Sequence, residues 1–207
     1  TIMGQRPFWD VHPDFLEKRP IKNHSGYNYF GLKPGQFTDD TSMALCLADS
    51  LLVCRGFDAL DLRLRFLNWW QFGYNSAFRF DSERRNSCDW SCSVGLGGNI
   101  SASLLDFRQT QAERTSSGDN MTSGNGSIMR LAPSAIYFRR NHERALEVSE
   151  LQSYTTHKGD EAAECCRLLT HILLGAFNAH SSSSLASDVE ALPKSRAPMA
   201  AKAKARS

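Results

Sequence analysis

The sequence predicts an all-α fold. Two observations carry that prediction: apolar residues recur at three- and four-residue spacing in successive windows, and strand-like alternation is scarce throughout. Helices are expected at about 39–54, 58–73, 99–112, 126–139, 142–155 and 160–179, joined by irregular connections. No internal repeat is evident.

The first helix is set by Ala44, Leu45, Leu47, Ala48, Leu51 and Leu52, which follow the spacing of a buried helical stripe. Just before it, Thr38, Asp39, Asp40 and Thr41 crowd four oxygen-bearing side chains into one turn. Such residues suit a helix N-cap and complement the positive end of the helix dipole. They also suit a hard divalent cation that prefers oxygen ligands. Capping alone accounts for any one of them, so spacing leaves both readings open.

In the fourth window, Ser123-Gly124-Asn125-Gly126-Ser127-Ile128-Met129-Arg130-Leu131-Ala132-Pro133 runs from a small-residue turn into an apolar helix. The glycines allow close approach to the backbone, and the free N–H groups at the helix start form a natural anion site. Asn-Gly is also a common tight-turn dipeptide. Pro133 is expected to bend or locally break this helix. The last window presents Ala162, Cys165, Cys166, Leu169, Ile172, Leu173, Ala176 and Phe177 as a wide apolar face for packing in a bundle.

Polar stretches at 75–91 and 115–124 read as surface loops, the second leading directly into the Gly-Asn-Gly turn. Residues 193–207 carry five basic residues, no acidic one and no hydrophobic period, so 181–207 is expected to be a disordered basic tail following a helical domain at 1–180. Subtracting those five charges from the formal +2 leaves −3 for residues 1–192. A mildly acidic body excludes an extended nucleic-acid surface. The apolar run Leu168 to Phe177 is too short to span a bilayer, so no membrane role is expected.

The six cysteines fit reduced thiols in a cytoplasmic compartment. Cys88 and Cys92 could hold zinc only with a second Cys or His pair, and none stands at matching spacing.

Phe-Thr-Asp-Asp-Thr-Ser-Met-Ala-Leu at 37–45 and Gly-Asn-Gly-Ser-Ile-Met-Arg-Leu-Ala-Pro at 124–133, in that order, resemble the ADP-ribosylglycohydrolase family. Thr156-His157, entering a helix, is similar to a third segment of that family, so the resemblance runs from about Gly35 to about Phe177. It implies an orthogonal helical bundle with two Mg2+ ions in a central cleft that binds ADP-ribose. The expected activity is hydrolysis of the glycosidic bond joining ADP-ribose to a modified protein side chain or a small ADP-ribosyl compound.

Carried over residue by residue, Thr38, Asp39 and Asp40 are the implied metal ligands, and Asp39 and Asp40 the implied catalytic carboxylates. Asn125, Gly126, Ser127 and Met129 are implied substrate contacts, and His157 lines the nucleotide side.

The departures are as specific as the matches. The family's late Asp-x-Asp motif is absent: only Asp119, Asp160 and Asp188 follow Asp106, and none has a second carboxylate two residues away with a hydroxyl behind it. Glu17 matches the family's early acidic residue only loosely. In the stretch Ser93 to Ser101, Ser93 stands where the family usually has an acid. These features read as a truncated member, with a non-catalytic ADP-ribose-binding or structural remnant as the alternative. Oligomeric state is not encoded in any of these motifs.

Overall fold

A computed structural model describes residues 30, 32, 33, 35–78, 81, 93–119, 121 and 124–179. The described residues form helices only: α1 (Asp39–Val53), α2 (Ala59–Phe72), α3 (Gly98–Thr110), α4 (Gly126–Met129), α5 (Ala132–Tyr137), α6 (His142–Tyr154) and α7 (Asp160–Ala179). Cys88 and Cys92, weighed as zinc ligands, Glu17 and the expected basic tail lie outside these residues. Among them, no helix is long and apolar enough to cross a membrane.

Local chemistry sets the helix ends. Asp58 caps α2 by accepting from Asp61 N–H at 2.9 Å, and Asn141 caps α6 by accepting from Arg144 N–H at 3.1 Å. Gly73 closes α2 in the left-handed conformation (φ 69°), which glycine adopts without steric penalty. The expected helix at 126–139 is two helices. It breaks at Arg130-Leu131, and Pro133 stands in the first turn of α5, where its missing N–H costs nothing.

Met43, Cys46, Leu47 and Leu51 of α1 pack with Leu62, Phe66 and Trp69 of α2, Ile100 and Leu104 of α3, and Val148 of α6. The most extensive helix pairing is α6 on α7. Two expected faces are rotated from their sequence assignments. In α1, Ser42, Met43, Cys46, Leu47, Ser50 and Leu51 are buried, while Leu45 and Leu52 are exposed.

In α7 the packed stripe is Ala162, Ala163, Cys166, Thr170 and Leu174, leaving Cys165, Ile172 and Phe177 exposed. Small side chains let α6 and α7 approach closely enough for Thr170 Oγ1 to donate to Ser149 Oγ at 2.6 Å. A stripe read from hydrophobicity alone misses small and hydroxylated residues used in this way.

The expected surface loops are also partly tied down. Phe78 is 1% exposed. Thr115 is buried, its N–H donating to Tyr154 O at 3.0 Å, and Ser116 Oγ donates to Asp106 Oδ1 at 2.9 Å. Arg63 is buried with Phe107 below its guanidinium at 4.7 Å, donating to Ala112 O (2.6 Å) and Ser103 O (2.8 Å) and facing Asp106 at 3.4 Å.

Candidate active site

Thr38 precedes α1 in extended conformation and makes no side-chain capping bond to that helix. Its hydroxyl instead donates to the Asp39 carboxylate. Burial, then repulsion from Asp40, pushes the Asp39 carboxyl up to about 6, against the opposing pull of Thr38. An Asp39 carboxyl raised in this way, beside a second carboxylate, forms a locus that positive charge stabilises.

The segment 93–97 closes over this turn. Gly95 adopts φ +88°, and a Cβ there would collide with Asp39 Oδ1 and come within 3.2 Å of Thr38 Cβ. Ser93 is buried, and its hydroxyl donates to Trp70 O at 3.0 Å, so it holds the segment to α2.

The Gly-Asn-Gly turn and the Thr-His turn meet at Gly126. A Cβ on Gly126 would lie 3.4 Å from both Cε1 and Nε2 of His157 and 3.2 Å from Ile100 Cδ1. His157 is 1% exposed, and burial followed by the nearby Arg130 charge pulls its imidazole down to about 3. It is neutral at pH 7. Its Nδ1 lies 2.7 Å from the Thr156 hydroxyl, in hydrogen-bond contact, and its Nε2 edge faces Gly126. Asn99 Nδ2 donates to Thr156 O at 3.2 Å and ties the start of α3 to the same turn.

Sequence reasoning did not single out Arg130 and Gln152, which join these turns. Arg130 is fully buried, with its guanidinium 4.5 Å above the Phe66 ring. It donates to Gln152 Oε1 (2.9 Å), Gln152 O (2.9 Å), Thr155 Oγ1 (3.3 Å) and Thr156 Oγ1 (2.7 Å). Burial pulls its pKa down to about 10, opposed by Cys166, Asp40, Cys46 and Asp39. The available signal was an arginine and a glutamine inside otherwise apolar helical spacing.

The implied contacts divide by accessibility. Asn125 and Met129 are exposed and Gly126 is half-buried. Ser127 is fully buried; its hydroxyl accepts from Ser153 Oγ at 2.8 Å and from Cys166 Sγ at 3.4 Å. It faces the interior of the fold. A separate open groove of about 360 Å³, lined in part by Phe57, Asp58, Arg114 and Arg144, shares no residue with this cluster. Among the described residues no three His, Cys, Asp or Glu side chains gather closely enough to hold a metal ion.

The model of the ADP-ribosylglycohydrolase family matches residues 6–206. The chain belongs to the ADP-ribosylglycohydrolase family. This family member is 34% identical over 168 residues to the ADP-ribosylarginine hydrolase Tri1 of Pseudomonas putida (strain GB-1), a match covering 78% of the chain and 40% of the relative. It is 31% identical over 169 residues to the protein of the same name from Serratia proteamaculans (strain 568), covering 80% and 42%. A third relative, the uncharacterized protein YegU of Escherichia coli (strain K12), is 31% identical over 160 residues, covering 76% and 42%. The chain thus spans about two fifths of the length of the curated relatives it matches. Its all-α architecture agrees with the fold expected of an ADP-ribosylglycohydrolase.

Proposed function

We propose that this chain forms the part of an ADP-ribose cleft built from the Thr-Asp-Asp, Gly-Asn-Gly and Thr-His turns, in a magnesium-dependent hydrolase. The substrate is an ADP-ribosylated protein or a small ADP-ribosyl compound, and the bond cut joins the anomeric carbon to an arginine nitrogen. That linkage extends to this chain the activity for which the Pseudomonas and Serratia relatives are named. The observation that carries the reading is Asp39, half-buried beside Asp40 under a glycine whose missing Cβ leaves room for its carboxylate.

The oxygen donors of Thr38, Asp39 and Asp40 fit a hard cation, and they are the residues that would hold Mg2+. When bound, Mg2+ supplies positive charge that orients the ribose hydroxyls and acidifies water. Asp39 and Asp40 are the candidate catalytic carboxylates and proton acceptors. Asn125 and Met129 present side chains to the ligand, and Gly126 presents its backbone. Neutral His157 offers its Nε2 edge on the nucleotide side, while Ser127 supports the turn from behind. Four described cysteines are free thiols, which supports a reducing cytoplasmic setting.

Calorimetry with Mg2+ and ADP-ribose tests the reading on the wild type and on Asp39→Ala/Asp40→Ala. Metal-dependent binding is expected in the first and none in the second; absence from the wild type removes the enzyme reading. A second reading, non-catalytic ADP-ribose binding, is favoured by the lack of a third carboxylate, histidine or cysteine beside Asp39 and Asp40 among the described residues. Release of ADP-ribose from a modified arginine by this chain alone distinguishes the two.

A further inference from the structure

Apart from that cleft, α6 and α7 bring two imidazoles together at the surface. His142 opens α6 and His171 lies midway along α7. His142 Nε2 stands 3.0 Å from His171 Nδ1, with ring centroids 5.0 Å apart and ring planes at 80°. The two nitrogens are within hydrogen-bond distance, so one ring donates a proton to the other, and a cation that displaces that proton meets both nitrogens. On the far side of the His142 ring, Nδ1 is 4.0 Å from Glu143 Oε1. At that separation the carboxylate adds a negative charge beside the pair without a hydrogen bond.

We propose that His142 Nε2 and His171 Nδ1 form a chelating site for a divalent transition-metal cation of the copper(II) or nickel(II) class. Imidazole nitrogen suits these ions and not Mg2+. With metal–nitrogen bonds of about 2.0–2.1 Å, two nitrogens 3.0 Å apart subtend roughly 95° at the metal. That is a neighbouring pair of positions in a square-planar or octahedral shell, the geometry Cu2+ and Ni2+ adopt with nitrogen ligands.

Among the described residues no third His, Cys, Asp or Glu completes the site. Water or an external donor takes the remaining positions. The side chain of His142 is 45% exposed, which gives a cation direct access.

The site's place in the fold gives it a consequence. The short connection between α6 and α7 carries Thr156 and His157, whereas His142 lies at the opposite end of α6. A cation at His142 and His171 staples the open end of this helical hairpin, whose closed end contributes His157 to the cleft.

The test is titration of the metal-free full chain with CuCl2 and with NiCl2 in a non-coordinating buffer, with electron paramagnetic resonance of the copper form. The expected result is one ion per chain with a two-nitrogen signature. His142→Ala and His171→Ala are each expected to weaken binding at least about tenfold, with the far-ultraviolet circular dichroism unchanged. His142→Gln, which keeps a polar side chain at the helix start, is expected to weaken it equally. No binding by the wild type, or wild-type affinity in the double variant, overturns the proposal.

Discussion

The Arg130 guanidinium donates to the Thr156 hydroxyl across 2.7 Å, so a buried charge fixes the turn that carries His157. Replacing it with methionine removes the donor while Gln152 Oε1, Gln152 O and two threonine hydroxyls stay in the interior. Arg130→Met is therefore expected to destabilise the fold by about 3 kcal/mol. Arg130→Lys keeps the charge and loses the planar fork, so it should restore only part of that loss. Urea unfolding of both variants measures the difference; full stability in the methionine variant would contradict the bonding described.

Gly95→Ala places a methyl group on a backbone at φ +88° and directly against Asp39. The strained conformation costs on the order of 1–2 kcal/mol, and the carboxylate must move. The expected outcome is a modest fall in thermal midpoint with a disproportionate loss of magnesium-dependent ADP-ribose binding. Calorimetry that finds wild-type affinity would dissociate the 93–97 segment from the proposed cation site.

Two neighbours in the Gly-Asn-Gly segment should respond oppositely. Ser127→Ala removes buried bonds to Ser153 and Cys166, costing about 1–2 kcal/mol of stability and leaving the ligand affinity of the folded protein unchanged. Asn125→Ala alters an exposed side chain, so stability should change by less than about 0.5 kcal/mol while affinity for ADP-ribose falls about fivefold. Parallel chemical denaturation and calorimetry separate the pair.

His157 gives the fold an acid limit. Burial holds its folded-state pKa at about 3 against an ordinary value of 6.5, so the unfolded chain takes up a proton that the folded protein refuses. This contribution is fully present above pH 6.5 and declines as pH falls towards 3. Stability should drop across that window with a slope of up to one proton from this residue. His157→Gln should flatten that part of the profile, as followed by denaturant midpoints at successive pH values; an unchanged slope would rule out a buried neutral imidazole.

Helix positions were legible because the dominant signal, apolar periodicity, is local. The windows at 39–54 and 160–179 lie within a residue of α1 and α7. The faces were not: Ser42 and Thr170 pack inward while Leu52 and Ile172 point out, because close helix approach rewards small size over hydrophobicity. For the candidate site, the motifs pointed to Thr38, Asp39, Asp40, Asn125, Gly126, Ser127, Met129 and His157. Gly95 was hidden because its close approach to Asp39 joins residues 56 positions apart, and Arg130 because one polar residue in an apolar helix does not reveal which way it points.

The one-turn helix Gly126–Met129 also sets a length that the chain cannot change. Gly126 lies against the His157 ring, and Arg130, four residues later on the same side of the helix, grips the turn beneath that ring. Inserting one residue between them would swing the guanidinium about 100° around the helix axis, away from Gln152 and Thr156. This stretch therefore acts as a spacer of fixed phase: side chains along it can be exchanged one at a time, but an insertion or deletion uncouples the Gly-Asn-Gly turn from the core.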